Sequence, residues 1–144
     1  MENEPKKNPK KSAKKKPQPH ADFIDISQKL RKIRELKRLT LVEASEKIGI
    51  GFVFLSEIER ALKAPSAEAI KGIASVYEIS ECDLAISYRK IPVSVLDALT
   101  KRKDVLRMVY DVANSDVLSQ EEKETFYNDV VSKYVELISS KSRK

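Results

Sequence analysis

Residues 31–66 read RKIRELKRLTLVEASEKIGIGFVFLSEIERALKAPS, and this stretch decides the fold of the chain. Its apolar residues recur every three or four positions, which is the period of helices that bury one face. Thr40 and Glu43 have the spacing of a capping box, and they predict a helix over Leu41–Ile48. Gly49 predicts the end of that helix, because glycine tolerates the left-handed conformation that terminates many helices.

A further helix is predicted at about residues 52–61, directly after the turn Gly49-Ile50-Gly51. Two helices joined by so short a turn have the spacing of a helix-turn-helix. The apolar period of the second helix turns three residues inward, namely Leu55, Ile58 and Glu59. In a helix-turn-helix the first residues of the second helix face the DNA bases, so this spacing predicts a DNA-reading surface.

The residues around this stretch predict further helices. A helix capped by Ser27 is predicted upstream, with three inward apolar residues, Leu30, Ile33 and Leu36. Downstream, Ser66 is predicted to open one helix and Ser80 to cap another. Sustained strand alternation is not found in the sequence, and three glycines are few for a β fold. The predicted class is therefore all-α.

A second helical block is predicted over residues 91–140. Ser119 and Glu122 form another capping box, which opens a long helix that ends at about residue 139. Its apolar stripe is formed by Phe126, Val130, Tyr134, Leu137 and Ile138. A stripe this wide at a chain end usually buries against something, so residues 91–140 are predicted to form a dimerisation region.

The charge of the chain is concentrated at one end. Residues 1–20 carry seven lysines and two glutamates, a net charge of +5 out of the +6 of the whole chain. Residues 1–22 have almost no apolar side chains, which predicts a disordered basic arm before a folded domain at residues 23–88. Such an arm, with Lys14, Lys15 and Lys16, suits a polyanion partner, and a solubilising leader is the alternative.

The composition also bounds the type of protein. Charged residues make up 35% of the 144 residues, and the sequence has no apolar run near the roughly 18 residues of a spanning helix, so a cytoplasmic protein without a membrane segment is expected. The single histidine, His20, lies in the basic arm, and the single cysteine, Cys82, is expected to be a small buried residue. Since a nucleophile–base pair and a metal-ligand set are both missing from the pattern, neither catalysis nor a metal or other cofactor is expected.

The stretch carries more than helix-turn-helix spacing, because it resembles the Cro/repressor-like, or Xre-type, family over about residues 27–86. The matching residues are Thr40, Glu46, Lys47, Gly49, Leu55, Ser56, Ile58, Glu59, Arg60, Pro65 and Ser66. The resemblance implies a five-helix domain that binds operator DNA as a dimer and regulates transcription, most often as a repressor. It also implies a structural ion pair between Arg34 and Glu59.

Four positions depart from the family pattern. Leu41 stands where the family often has glutamine, and Gly51 stands where a serine or threonine often caps the reading helix. Arg38 and Ala61 stand where the family commonly has glycine. The departures at Leu41 and Gly51 remove polar groups that reach phosphates in the family, and the fold remains plausible.

The candidate DNA-binding residues follow from the resemblance and from exposed charge. In the domain they are Lys37, Thr40, Gly51, Phe52, Val53, Phe54, Ser56, Arg60 and Lys63, joined by Lys14, Lys15 and Lys16 of the arm. Phe52 and Val53 cannot form side-chain hydrogen bonds, but they can pack on thymine methyl groups. Exposed apolar residues on this helix also suit a protein partner, so an interaction module such as an antitoxin or an antagonist of another regulator is the alternative.

Overall fold

A computed structural model describes residues 16–143, which form eight α-helices and contain no β-strand. The helices are α1 (Ile24–Leu36), α2 (Leu41–Ile48), α3 (Phe52–Glu59), α4 (Ala67–Tyr77), α5 (Glu81–Ser87), α6 (Val93–Lys101), α7 (Lys103–Asn114) and α8 (Gln120–Lys141). This confirms the predicted all-α class. Among the described helices, we find none with both the length and the apolar character needed to cross a membrane.

The chain divides into two units between Val93 and Ser94. The first unit contains α1 to α5 and has a single core. Its buried hydrophobic residues come from all five helices and from the residue after α5: Leu30, Ala44, Leu55, Ile58, Ile70, Ile73, Ala74, Tyr77, Leu84, Ala85 and Tyr88. Burial of these side chains holds the helix-turn-helix α2–α3 against α1 and α4.

The ends of α2 form where the local sequence predicted them. Thr40 Oγ1 accepts a hydrogen bond from the Glu43 N–H at 3.2 Å, and the Glu43 carboxylate accepts one from the Thr40 N–H at 2.8 Å. These two bonds complete the predicted capping box. Gly49 ends the helix with a φ of 86°, and its N–H donates to Ser45 O at 2.9 Å.

Helix α4 lies close to the end of α2 at Gly72. A Cβ placed on Gly72 would lie 2.7 Å from the carbonyl oxygen of Ile48, which is a backbone atom that cannot move aside cheaply. Glycine at this position therefore permits the close approach of the two helices. The close approach in turn fixes where the Gly49-Ile50-Gly51 turn lies relative to the core.

Two predictions about α1 are wrong. The helix begins at Ile24, so Ser27 does not cap it but lies buried within it, with its hydroxyl 3.0 Å from that of Tyr88. Leu36 was predicted to face inward and is 82% exposed. The reason is that two polar residues, Ser27 and Arg34, occupy inward positions of α1. The spacing of the apolar residues cannot show that polar residues lie on the buried face.

The prediction for Cys82 is also wrong, because this residue is exposed. The inward positions of the short helix α5 are held by Leu84 and Ala85, and Tyr88 follows them at the helical spacing. Cys82 lies outside that face. The same geometry leaves Ile86 66% exposed.

Two of the departures from the family pattern fall on strained backbone. Arg38 and Ala61 both have a φ of 56°, in the left-handed region where glycine is the favoured residue. Arg38 lies two residues after the end of α1, and Ala61 lies two residues after the end of α3, the second helix of the helix-turn-helix. The glycines of the family pattern are replaced here by residues that adopt this conformation at a cost of roughly 1–2 kcal/mol each.

We expect Arg38→Gly to raise the free energy of unfolding by about 0.5–1 kcal/mol, because relief of the strain exceeds the greater chain entropy that glycine loses on folding. Lys32→Gly is the matched control. Lys32 is also an exposed basic residue, but it lies inside α1, where glycine costs about 1 kcal/mol. Urea denaturation of both variants measures the difference, and a loss of stability in Arg38→Gly would contradict the expectation.

The second unit contrasts with the first, because no described residue of α6, α7 or α8 is buried. Ser119 and Glu122 form the predicted capping box at the start of α8. The large apolar residues along α8 are nevertheless half-exposed or more from Val130 to Ile138. These helices therefore do not bury one another as the helices of the first unit do.

Candidate nucleic-acid interface

A buried ion pair links α3 to α1. Arg34 Nε donates to Glu59 Oε1 at 2.7 Å, and Arg34 Nη2 donates to Glu59 Oε2 at 2.8 Å. Arg34 Nη1 also donates to the backbone carbonyl of Leu39, 2.9 Å away, just before α2 begins. One guanidinium thus joins three elements, and the hydrogen bond to Glu59 raises the pKa of Arg34. This fork sets the position of α3 relative to the rest of the domain.

The position of α3 leaves its first turn open to solvent. Phe52 is 54% exposed and Val53 is 55% exposed, whereas Leu55 and Ile58 are fully buried. Phe54 is half-buried and packs against the core. The inward and outward sides of α3 are therefore those that the apolar period indicates, and the two outermost side chains of the first turn are apolar.

The N-terminus of α3 also has free backbone donors. Gly51 occupies the N-cap position, and no side chain in residues 16–143 caps the helix. The first N–H bonded within α3 is that of Leu55, which donates to Gly51 O at 3.0 Å. The N–H groups of Phe52, Val53 and Phe54 precede it, and such groups at a helix start can donate to a phosphate. Loss of a capping hydroxyl at Gly51 thus leaves the backbone as the available donor.

Two of the predicted phosphate-binding lysines have carboxylate partners within the domain. Lys37 pairs with Glu78, whose pKa is lowered by the hydrogen bond from that ammonium group. Lys63 Nζ lies 2.9 Å from Glu57 Oε2. Each pair is close to neutral as a unit, so these lysines offer DNA less charge than the sequence suggests.

The polar residues of the predicted site are similarly engaged. The Thr40 hydroxyl donates to Glu43 Oε2 at 2.8 Å, so its hydrogen is already committed to the capping box. The backbone and side-chain hydrogen bonds from Thr40 lower the pKa of Glu43, which keeps a negative charge at the start of α2. Ser56 is half-buried, and its carbonyl accepts a bond from Arg60 Nε at 3.2 Å.

Among the charged candidates of the domain, Lys37, Arg60 and Lys63, Arg60 has no carboxylate partner within the described residues. It is exposed, its hydrogen-bond acceptor Ser56 O is neutral, and it forms no ion pair within the described part of the chain. Arg60 also lies beside the first of the described residues. A surface cavity of about 750 Å³ is lined both by Arg60 and Arg31 and by Lys16 and Pro17.

The base of the basic arm is attached to the domain at the end of α3. The His20 N–H donates to the Ala61 carbonyl at 2.8 Å, and Ala21–Phe23 form a short 3-10 helix before α1. The described part of the predicted arm is therefore hydrogen-bonded to the domain at His20. Lys14 and Lys15, and the disorder predicted for the first 15 residues, lie outside the described residues, and Lys16 is exposed.

One exposed apolar residue of α2 was not predicted from the sequence. Val42, in the first turn of α2, is 50% exposed, while the preceding Leu41 is half-buried. Adjacent residues of a helix point in directions about 100° apart, and the residues that α2 buries are Ala44 and Ser45. The adjacent apolar residues Leu41 and Val42 at the helix start were the signal in the sequence for this exposed side chain.

Comparison with known proteins places this geometry in a family. The family model described as helix-turn-helix matches residues 30–84, which cover most of α1 and all of α2 to α4. No curated protein sequence matches the chain.

Two solved structures are similar to the chain. The clp gene regulator ClgR from Corynebacterium glutamicum is 24% identical, over 66% of this chain and 96% of that one, with a TM-score of 0.42. A SinR protein–SinI protein complex is 25% identical, over 76% and 98% of the two chains, with a TM-score of 0.39. Both TM-scores are below 0.5, so the assignment rests on the family match. Residues 30–84 of this chain match the helix-turn-helix family, in agreement with the Xre-type resemblance of the sequence.

Proposed function

We propose that this protein is a sequence-specific transcription regulator that binds operator DNA as a homodimer through the first turn of α3. The observation that carries the proposal is the exposure of Phe52 and Val53 beside free backbone N–H groups at the N-terminus of the same helix. A surface that offers backbone donors for phosphate and apolar side chains for base edges suits the major groove.

The expected mechanism is occupancy of a site. Two copies would set two α3 helices about one turn of DNA apart, and a dimer bound in this way blocks access of polymerase, so repression is the expected outcome. Occupancy of a DNA site in this way involves no catalytic step and needs no cofactor. Such a function would place the protein in the cytoplasm with the DNA it regulates.

The charges of the domain predict how affinity divides between specific and general contacts. Arg60 and the lysines of the arm would supply contacts to phosphate, and the arm would track the backbone from its attachment at Ala61. The affinity for DNA of any sequence should therefore fall steeply as the salt concentration rises. The slope of log affinity against log salt concentration should steepen by roughly 0.9 for each phosphate neutralised.

We expect Phe52→Ala and Val53→Ala each to weaken binding to the specific site by about 1–3 kcal/mol, because each removes apolar contact with the base edges. Binding to unrelated DNA should stay the same, since basic residues supply it. The melting temperature should also stay the same, because both side chains lie outside the core. The specific site is first obtained by selection from random duplexes, and fluorescence anisotropy then measures both affinities.

Phe54→Ala is the matched control for these two variants. It removes a side chain of the same kind from the same turn, but Phe54 packs against the core, so its melting temperature should fall. Loss of stability in Phe52→Ala equal to that in Phe54→Ala would make Phe52 a core residue. Stable Phe52 and Val53 variants with unchanged operator affinity would contradict the proposed reading surface.

The contact with thymine can be tested on the DNA itself. Replacing thymine by uracil removes only the 5-methyl group, so substitution at the bases facing α3 should weaken binding of the wild-type protein. In Val53→Ala the same substitution should have a smaller effect, because the partner of the methyl group is already gone. Equal effects in both proteins would mean that Val53 does not contact that base.

The alternative function is that of a protein-interaction module, such as an antitoxin or an antagonist of another regulator. It is favoured by the neutralisation of Lys37 by Glu78 and of Lys63 by Glu57 beside an exposed apolar surface. Such a module would bind DNA weakly and only through its basic residues, so that its affinity would fall with salt concentration. It would select no sequence from random duplexes. Recovery of one enriched sequence motif distinguishes the regulator from this alternative.

A further inference from the structure

Helix α8 presents an apolar face that its own unit does not cover. Six of its residues are between 48% and 61% exposed, namely Val130, Val131, Tyr134, Val135, Leu137 and Ile138. Phe126 and Tyr127 extend the same face and are half-buried. Exposed apolar patches of this kind in a soluble protein mark interfaces.

The other side of α8 is polar along its whole length. At 100° per residue the apolar residues span about half of the helix circumference, centred on Tyr134. The opposite half carries Glu121, Asp129, Ser132 and Glu136. The helix is therefore built to bury one face and to leave the other in water.

The two ends of α8 carry opposite charge. Its first turns contain Glu121, Glu122 and Glu124. The basic residue among them, Lys123, is turned towards its own chain and donates to the Ala113 carbonyl at 3.3 Å. The last turn contains Lys141, and Arg143 follows it. Two copies of such a surface have complementary charges when one copy is turned end to end relative to the other.

We infer that the occupant of this face is α8 of a second copy of the chain, packed antiparallel. This inference rests on the homodimer of the proposed function and specifies how the two copies meet. A parallel pair would set the acidic ends against each other and the basic ends against each other, whereas an antiparallel pair sets each acidic end against a basic one. The helix dipoles also oppose one another favourably in the antiparallel pair.

The stripe itself sets the register of the pair. It runs from Phe126 to Ile138, and its midpoint is Ser132. A two-fold axis at that midpoint lays Phe126 of one copy against Ile138 of the other and covers the whole stripe. The same register places Glu124 beside Lys141, so packing and charge lead to one arrangement.

Spin labels on the polar face test the orientation without disturbing the contact. The background is the full chain with Cys82→Ser, because Cys82 is exposed and would take a label. Glu121→Cys and Ser132→Cys are labelled separately. These positions are three turns apart and lie on the same side of α8, so a parallel pair gives equal distances between copies at both.

In the antiparallel pair the labels at residue 132 have no separation along the helix axis, because they lie level with the two-fold axis on the outer sides of the two helices. The labels at residue 121 are separated by about 33 Å along that axis. The distance at residue 121 should therefore exceed that at residue 132 by about 15 Å or more. Double electron–electron resonance measures both. Equal distances would overturn the antiparallel arrangement and leave the dimer standing.

The stripe is tested in the same labelled proteins. Tyr134→Asp with Leu137→Asp should abolish the distance between copies, and Ser139→Asp on the polar face should leave it unchanged. Sedimentation that finds the wild-type chain monomeric at tens of micromolar would overturn the dimer and this inference together. The Phe52 and Val53 variants still test DNA reading in that case, since they act within one domain.

Discussion

Glu59→Ala is expected to lower the free energy of unfolding by about 3–5 kcal/mol, because it leaves the Arg34 guanidinium buried without its carboxylate. Only 10% of the Arg34 side chain and 4% of the Glu59 side chain are exposed, so water cannot replace the lost partner. Nearby Tyr77 shows the same dry surroundings, since burial, followed by the charge of Glu59, raises its pKa to about 12. Calorimetry of the full chain measures the loss.

The control for this prediction removes both charges. Arg34→Met with Glu59→Leu should recover most of the stability lost in Glu59→Ala, because packed apolar side chains then replace the pair and no charge stays buried alone. A loss below about 1 kcal/mol in Glu59→Ala would mean that the pair behaves as an exposed one. If Arg34→Met with Glu59→Leu is as unstable as Glu59→Ala, the lost stability comes from packing and not from the unpaired charge.

Tyr88→Ala is expected to cost a similar amount, about 3–5 kcal/mol, because it empties a fully buried aromatic position. Tyr88 is 1% exposed, and its ring lies 5.2 Å from the ring of Phe23, measured between centroids. Tyr88, which follows α5, therefore links the C-terminal end of the domain to its N-terminal end at Phe23, just before α1. Tyr110→Ala is the matched control, because Tyr110 is 65% exposed and its loss should leave the melting temperature unchanged.

The hydroxyl of Tyr88 can be tested separately from its ring. Tyr88→Phe keeps the packing but leaves the buried Ser27 hydroxyl without its partner, which should cost about 1–3 kcal/mol. Ser27→Ala combined with Tyr88→Phe should recover part of that loss, because no polar group then stays unpaired. Additive losses in the double variant would show that the 3.0 Å contact is not a stabilising hydrogen bond.

Local chemistry allowed the sequence alone to determine the helix-turn-helix. The Thr40 and Ser119 capping boxes and the left-handed Gly49 involve groups only a few residues apart, so their chemistry is visible in the sequence. The inward direction of Leu55 and Ile58 follows from the helical period and was equally predictable. The predicted DNA contacts and the predicted dimerisation region stay predictions.

The tertiary structure decided which polar and charged groups are paired, apart from Arg34 and Glu59, whose pairing the family resemblance implied. Ser27 is buried because its partner Tyr88 lies 61 residues away, and the apolar period of α1 carries no trace of that distant hydroxyl. Lys37 is neutralised by Glu78, which is 41 residues further along the chain. Periodicity registers the apolar side of a helix, whereas the partner of a buried or charged group depends on which helices meet. For that reason the fold could be derived from the sequence, and the charge that the domain presents to DNA could be derived only from its packing.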